Sequence, residues 1–457
     1  MMEQKENSET SPGTRGKNPE DGGTALGTAG TIEQIAAPGR KHYPALDGLR
    51  GLAILLVLVC HYSLVLPQSD PVVSALTDLF IKGWIGVNLF FVLSGFLITG
   101  ILYDAKGQLH YFRHFYARRF LRIFPLYYGF LGLLLLGILA YKFGDPVKFS
   151  HSVIGHALLS YQPWLWSYTF NIYCAIHNSM GVLVTQFWTL SVEEQFYMLW
   201  PVVVFAFGRE TLVRICVGLM LSALALRLAL TAFHTPIIPI YVLAPCQMDS
   251  LAAGALVALL VRGAAGVRAM LEPARSAAIA AGGVLILASI GALLFHLQWQ
   301  SSTGFPMGAH AYAVDQLRHP LFAVPYVAAA FYSVLAVFFA ALLALAIQLE
   351  EGSYARFMKF KALRFLGGYS YGIYVFHLPI LVALWTLMGK FSWCHELQSS
   401  LVCVLIFIAG NVALTLAISV ASFHLYEKHF LKLKKYFPEQ TKPIAEQHGH
   451  EKTTKTG

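Results

Sequence analysis

Ten runs of about twenty apolar residues recur along the chain, separated by short polar or basic stretches. At a 1.5 Å rise per residue, a helix of that length reaches about 30 Å, the thickness of a bilayer's hydrocarbon core. Lipid offers the backbone no hydrogen bonds, so such runs must satisfy their own as helices. The expectation is an all-α fold, a polytopic transmembrane helical bundle of about ten spans. Charge is depleted to match. Only 12% of residues are charged, about half the ~25% of soluble domains. The net charge of +9 gathers in short loops, the positive-inside pattern, and so speaks of membrane orientation and not of nucleic acid.

The expected spans are 43–66, 84–103, 123–142, 188–207, 212–233, 240–261, 277–297, 326–348, 365–388 and 399–425. An even count puts both termini in the cytoplasm. It also gathers on that side the basic loops with Arg113, Arg118, Arg119 and Arg122, with Arg262, Arg268 and Arg275, and with Arg356, Lys359, Lys361 and Arg364. The location expected is the inner (plasma) membrane. Residues 1–40 hold few large apolar side chains and read as a disordered cytoplasmic tail. With no apolar core near Met1, they are not a signal peptide. Residues 41–430 form the transmembrane domain, and 431–457 a basic, polar cytoplasmic tail. Residues 143–186 are rich in aromatics, Pro, Ser and Asn. They read as an outer loop with interfacial or re-entrant pieces, and a short helix fits at 151–161. Six cysteines show no CxxC or other metal spacing, so no metal site is expected. Cys174 and Cys394 fall in outer loops, where a disulfide could join them.

Ionisable residues inside spans carry the functional argument. Arg50 and His61 lie eleven positions apart, about three helical turns, on one face of the first span and about 16 Å apart along its axis. A charge at the mouth and a ring well inside point to a site or channel along that face. The competing reading is a His that bonds a neighbouring helix. His61 suits a general base, since an imidazole needs only a small shift to work near neutral pH. It could also accept an acyl group itself. Glu193 and Glu194 stand at the outer end of the fourth span. Adjacent carboxylates diverge by about 100°, so at most one shares a site with His61. A carboxylate is also simply comfortable near a helix N-terminus. Arg119 and Arg122, one turn apart with Arg118 beside them, could grip a phosphate-bearing ligand or only anchor to lipid phosphates. Asp47 pairs with Arg50 three residues on. Asp249 lies in the sixth span. Ser370, Tyr371, Tyr374 and His377 fall within two turns of the ninth and could line one cavity. Ser94-Gly95 reads as small-residue helix packing.

Together these segments resemble the acyltransferase-3 family of membrane acyltransferases, which O-acylate sugars of polysaccharides, lipopolysaccharide, peptidoglycan and other carriers. The pieces that match, in order, are LDGLRGLAILLVLVCH, GVNLFFVLSGFLIT, FYARRFLRIFPLYY, FWTLSVEEQFYMLWP, MDSLAAGALVA, SYGIYVFHLPI and HLYEKHF. They cover about residues 43–430. The family pattern of a basic residue, ten residues, then His falls on Arg50 and His61. Arg-x-x-Arg falls on Arg119 and Arg122, and the Glu-containing segment on Glu193. The resemblance implies that acyl-CoA, with acetyl-CoA the commonest donor, binds from the cytoplasm near Arg119 and Arg122. Arg50 would help position it and His61 would act in transfer to a glycan or lipid-linked sugar. Two departures stand out. Many members carry Arg two residues before the Asp of the sixth span, where this chain has Gln247. Some members carry a fused extracytoplasmic transferase; here transfer would be direct or through a separate partner. The competing function is a transporter or flippase using buried His, Glu and Arg as a proton relay, against which stands the lack of an internal repeat.

Overall fold

The computed structural model describes residues 43–438 apart from 68–69, 182, 264–265, 267–269, 304–324, 350–351 and 390–399. The N-terminal and C-terminal tails beyond these limits, Arg268 and Cys394 lie outside the described residues. Within them the chain is helical, with no strand. The helices are α1 (Pro44–Ser63), α2 (Pro71–Phe80), α3 (Gly86–Asp104), α4 (Tyr111–Gly144), α5 (Pro146–Ser150), α6 (Val153–Trp166), α7 (Phe170–His177), α8 (Phe187–Ala206) and α9 (Arg209–Ala232). After them come α10 (Ile237–Val242), α11 (Ala244–Val261), α12 (Leu271–Thr303), α13 (Pro325–Gln348), α14 (Ser353–Met358), α15 (Lys361–Met388) and α16 (Leu401–Ser422). A π-helical turn, Phe423–Glu427, carries α16 into α17 (Lys428–Lys432).

Local chemistry explains the starts. Pro44 and Pro71 occupy first turns, where no backbone donor is needed. Asp70 caps α2 by accepting from the amides of Val72 and Val73. Among the described residues nine helical stretches are long and apolar enough to cross a membrane. The remaining expected span, the fourth at 188–207, is α8, a full 20-residue helix whose carboxylates and Gln195 lower its apolarity. The chain is thus a multi-pass membrane protein.

Glycines set the closest helix contacts. A Cβ on Gly95 of α3 would run into the Leu251 carbonyl oxygen of α11, and one on Gly254 of α11 into that of Val92. In lipid, where apolar side chains gain nothing by leaving solvent, such close backbone approach drives association. Gly51 of α1 and Gly367 of α15 do the same for that pair, and Gly48 of α1 brings it against the Met358 carbonyl at the end of α14. α11 also packs on α9 and α13, and α13 on α12.

The segment read as an outer loop, 143–186, holds three helices, α5 to α7. The helix placed at 151–161 is α6, 153–166. The segment is tied down rather than loose. Tyr127 and Tyr128 of α4 donate to the carbonyls of Leu165 and Trp166 at 2.8 and 3.1 Å. Gln195 of α8 donates to the Tyr168 carbonyl at 3.0 Å. Tyr127 and Tyr168 stack at 4.3 Å. Cys174 in α7 is a buried free thiol, and burial pushes it up to about 12.

Candidate active site

Helices α1, α3, α4, α8 and α15 enclose a cavity of about 130 Å³. Arg50 of α1 and Arg119 and Arg122 of α4 line it, as does the α8 pair Glu193 and Glu194. Tyr371 and Tyr374 of α15 complete the polar wall, and Phe90, Leu93 and Leu97 of α3 supply an apolar one. Three guanidiniums therefore line the same cavity as two carboxylates, and charges brought together inside a bundle act on one another more strongly than in water.

Each charged group is held. Arg50 reaches Asp47 at 3.4 Å, as the three-residue spacing predicts. Asp47 itself is buried in the α1 packing and does not line the cavity. Arg119 lies over the rings of Tyr197 at 5.5 Å and Phe115 at 5.9 Å, a cation–π arrangement that suits a weakly hydrated guanidinium. Both carboxylates fall within electrostatic range of Arg119. Glu193 accepts from the Ser94 hydroxyl, and Ser94 accepts from Tyr197 at 3.0 Å. Ser94 is therefore part of the site, while its neighbour Gly95 does the packing. The sequence gives no sign of this division, because a Ser in an apolar run reads as packing. Tyr197, one turn after Glu193, joins the site through its bond to Ser94.

Glu193 and Glu194 both line the cavity, which lies along the face of α8 that carries Thr189, Leu190, Glu193, Glu194 and Tyr197. One expectation changes. His61 does not line the cavity with Arg50. It lies half-buried further along α1, where its Nδ1 is 3.0 Å from Nε2 of the fully buried His377. The two rings are 5.0 Å apart. Tyr374 is common to both places. It lines the cavity, its ring is 5.7 Å from that of His377, and its hydroxyl meets Thr189 of α8 at 2.6 Å. The arginine cavity and the histidine pair are thus neighbours across one tyrosine.

Two further candidates stand apart. Arg118 turns away from the cavity and donates to the Phe437 carbonyl at 3.0 Å. Asp249 is fully buried in an ion pair with Arg227 of α9 at 2.5 Å, and Ser333 of α13 donates to the same oxygen at 2.9 Å. This charge pair joins three helices, and Asp249 belongs to it rather than to the cavity. Gln247, where Arg was expected from the resemblance, donates to the Tyr241 carbonyl at 2.6 Å and faces Asn88.

The profile of the acyltransferase-3 family, described as an acyltransferase domain, matches residues 43–420. That range contains every group lining the cavity. Peptidoglycan O-acetyltransferase OatA of Listeria monocytogenes is 31% identical over 199 residues, 40% of this chain and 28% of its own length. Bacillus subtilis YrhL, provisionally named a peptidoglycan O-acetyltransferase, is 26% identical over 374 residues, 75% of this chain and 49% of its own. The chain thus spans half or less of the length of these relatives. No solved structure matches.

Proposed function

The chain belongs to the acyltransferase-3 family, and on that premise we propose that it moves an acetyl group from cytoplasmic acetyl-CoA to a hydroxyl of a cell-wall or lipid-linked glycan. The observation that carries this reading is the convergence of Arg50, Arg119 and Arg122 with Glu193 on one cavity, one tyrosine away from the His377–His61 pair. Guanidiniums bind phosphate oxygens through paired, charge-assisted hydrogen bonds. A space of about 130 Å³ suits the slender thioester arm of the donor and leaves the nucleotide at the arginine-lined mouth. The names of the two relatives support a peptidoglycan-type acceptor. The basic loops favour a cytoplasmic position for both termini and for the donor, in the plasma membrane.

In this reading His61 is the general base. It takes the proton of the acceptor hydroxyl as that oxygen attacks the thioester carbonyl carbon. The new ester C–O bond forms, the C–S bond breaks, and the CoA thiolate leaves with the proton that His61 returns. The acyl end must pass Tyr374 to reach the hydroxyl. Glu193, fixed by Ser94, orders the arginines and offers a second proton acceptor beside the thioester.

The donor assignment is tested with purified protein in nanodiscs, radiolabelled acetyl-CoA and a peptidoglycan oligosaccharide. Each charge-assisted hydrogen bond contributes about 1.5–3 kcal/mol. Arg119→Ala and Arg122→Ala should each raise the KM for acetyl-CoA roughly tenfold or more. Wild-type KM in both variants would contradict a CoA-phosphate role for these residues.

A further inference from the structure

His377 is fully buried on α15 and its hydrogen bonds leave little freedom. Its Nδ1 lies 2.8 Å from the carbonyl oxygen of Tyr374 and 3.1 Å from that of Ile373. A carbonyl only accepts, so Nδ1 carries the proton. A neutral imidazole has a single N–H, so Nε2 of His377 presents a lone pair. That lone pair faces Nδ1 of His61 at 3.0 Å, and two facing lone pairs would repel. His61 must therefore donate from Nδ1, which leaves its Nε2 unprotonated. The alternative is a His377 cation donating from both nitrogens. No carboxylate among the described residues is hydrogen-bonded to either ring, so that charge would be buried without a counter-ion, which is costly.

We infer that His377 is a positioning residue that fixes the tautomer and the ring orientation of His61, so that Nε2 of His61 is the basic nitrogen offered to the acceptor hydroxyl. The inference rests on the proposed role of His61. The logic is that of a base oriented by a third group, with a neutral imidazole where a carboxylate more often stands. The close approach of α1 and α15 at Gly51 and Gly367 holds the two rings in register. The backbone carbonyls of α15's own turn hold the His377 proton, so the chain of donors has one direction.

The test compares His377→Leu, His377→Gln and His61→Ala in the nanodisc assay, each checked for monodispersity and for the KM of acetyl-CoA. Leu removes the acceptor. The Gln amide oxygen can restore it. Turnover in H377L should fall roughly tenfold to a hundredfold, the usual cost of losing an orienting partner, with the KM for acetyl-CoA unchanged. H377Q should recover most of that loss. If the Leu variant does not fold, His377→Met fills the space without a strong acceptor and takes its place in the comparison. Full turnover in H377L, or a Gln variant no better than Leu or Met, would overturn the inference while leaving His61 as base. Full turnover in H61A would instead overturn the proposed function beneath it.

Discussion

Glu193 is faced by Arg119 and held by the Ser94 hydroxyl, which is held in turn by Tyr197. A half-buried carboxylate in such company keeps its direction only while each partner is present. Ser94→Ala removes one hydrogen bond to a charged group, about 1.5–3 kcal/mol. Its turnover should fall roughly tenfold, with a smaller rise in the KM for acetyl-CoA, because the arginines proposed to hold the donor remain and only the carboxylate that orders them is loosened. Steady-state kinetics on S94A decide the point; an unchanged turnover would remove Ser94 from the site. Arg50, Arg119, Arg122 and Glu193 were legible as site residues from their charge in apolar surroundings and from spacing along single helices. Ser94 was not, because its only signal is a contact with a residue 99 positions away. Helical spacing placed Arg50 and His61 on one helix but could not say that His61 lies away from the cavity Arg50 lines, or that Tyr374, from α15, stands between the cavity and the histidines.

At the scale of helices, small residues decide which pairs meet. Gly95 and Gly254 bring α3 and α11 together, and this fixes α3 beside the cavity it lines. A Gly95→Leu change must push against the Leu251 carbonyl, which cannot rotate away. It should lower the melting temperature and the yield of monodisperse protein. Gly218→Leu in α9, where a Cβ would meet nothing within 4 Å, should be tolerated. Equal melting temperatures in a thermal-shift comparison would show that the α3–α11 contact is not as close as described. The element positions were readable because long apolar runs between basic loops have one solution in lipid. The 143–186 segment was read as looser than it is. Its helices are short and its stabilising hydrogen bonds come from Tyr127, Tyr128 and Gln195 on other helices, so no local pattern announces them. The partner of Asp249 was not legible for a similar reason. An acidic group inside a span marks a site by default, but its partner Arg227 lies on another helix and satisfies it there.

For the whole molecule, the bundle does two things. It brings cationic side chains from α1 and α4 and carboxylates from α8 to one cavity. It also sets a pair of neutral-poised imidazoles from α1 and α15 on the far side of a single tyrosine. No soluble element is needed to make that arrangement. It arises from the crossing of helices, each of which contributes only part of the polar lining. The central claim is that acyl transfer runs through His61. The most direct measurement is the transfer of radiolabelled acetyl from acetyl-CoA to a peptidoglycan oligosaccharide by purified protein in nanodiscs, wild type against His61→Ala. General-base assistance contributes about a hundredfold or more. The wild type should release CoA and form labelled ester, and the variant should retain about a hundredth of that rate or less while still binding acetyl-CoA. Equal rates in the two proteins would contradict the account.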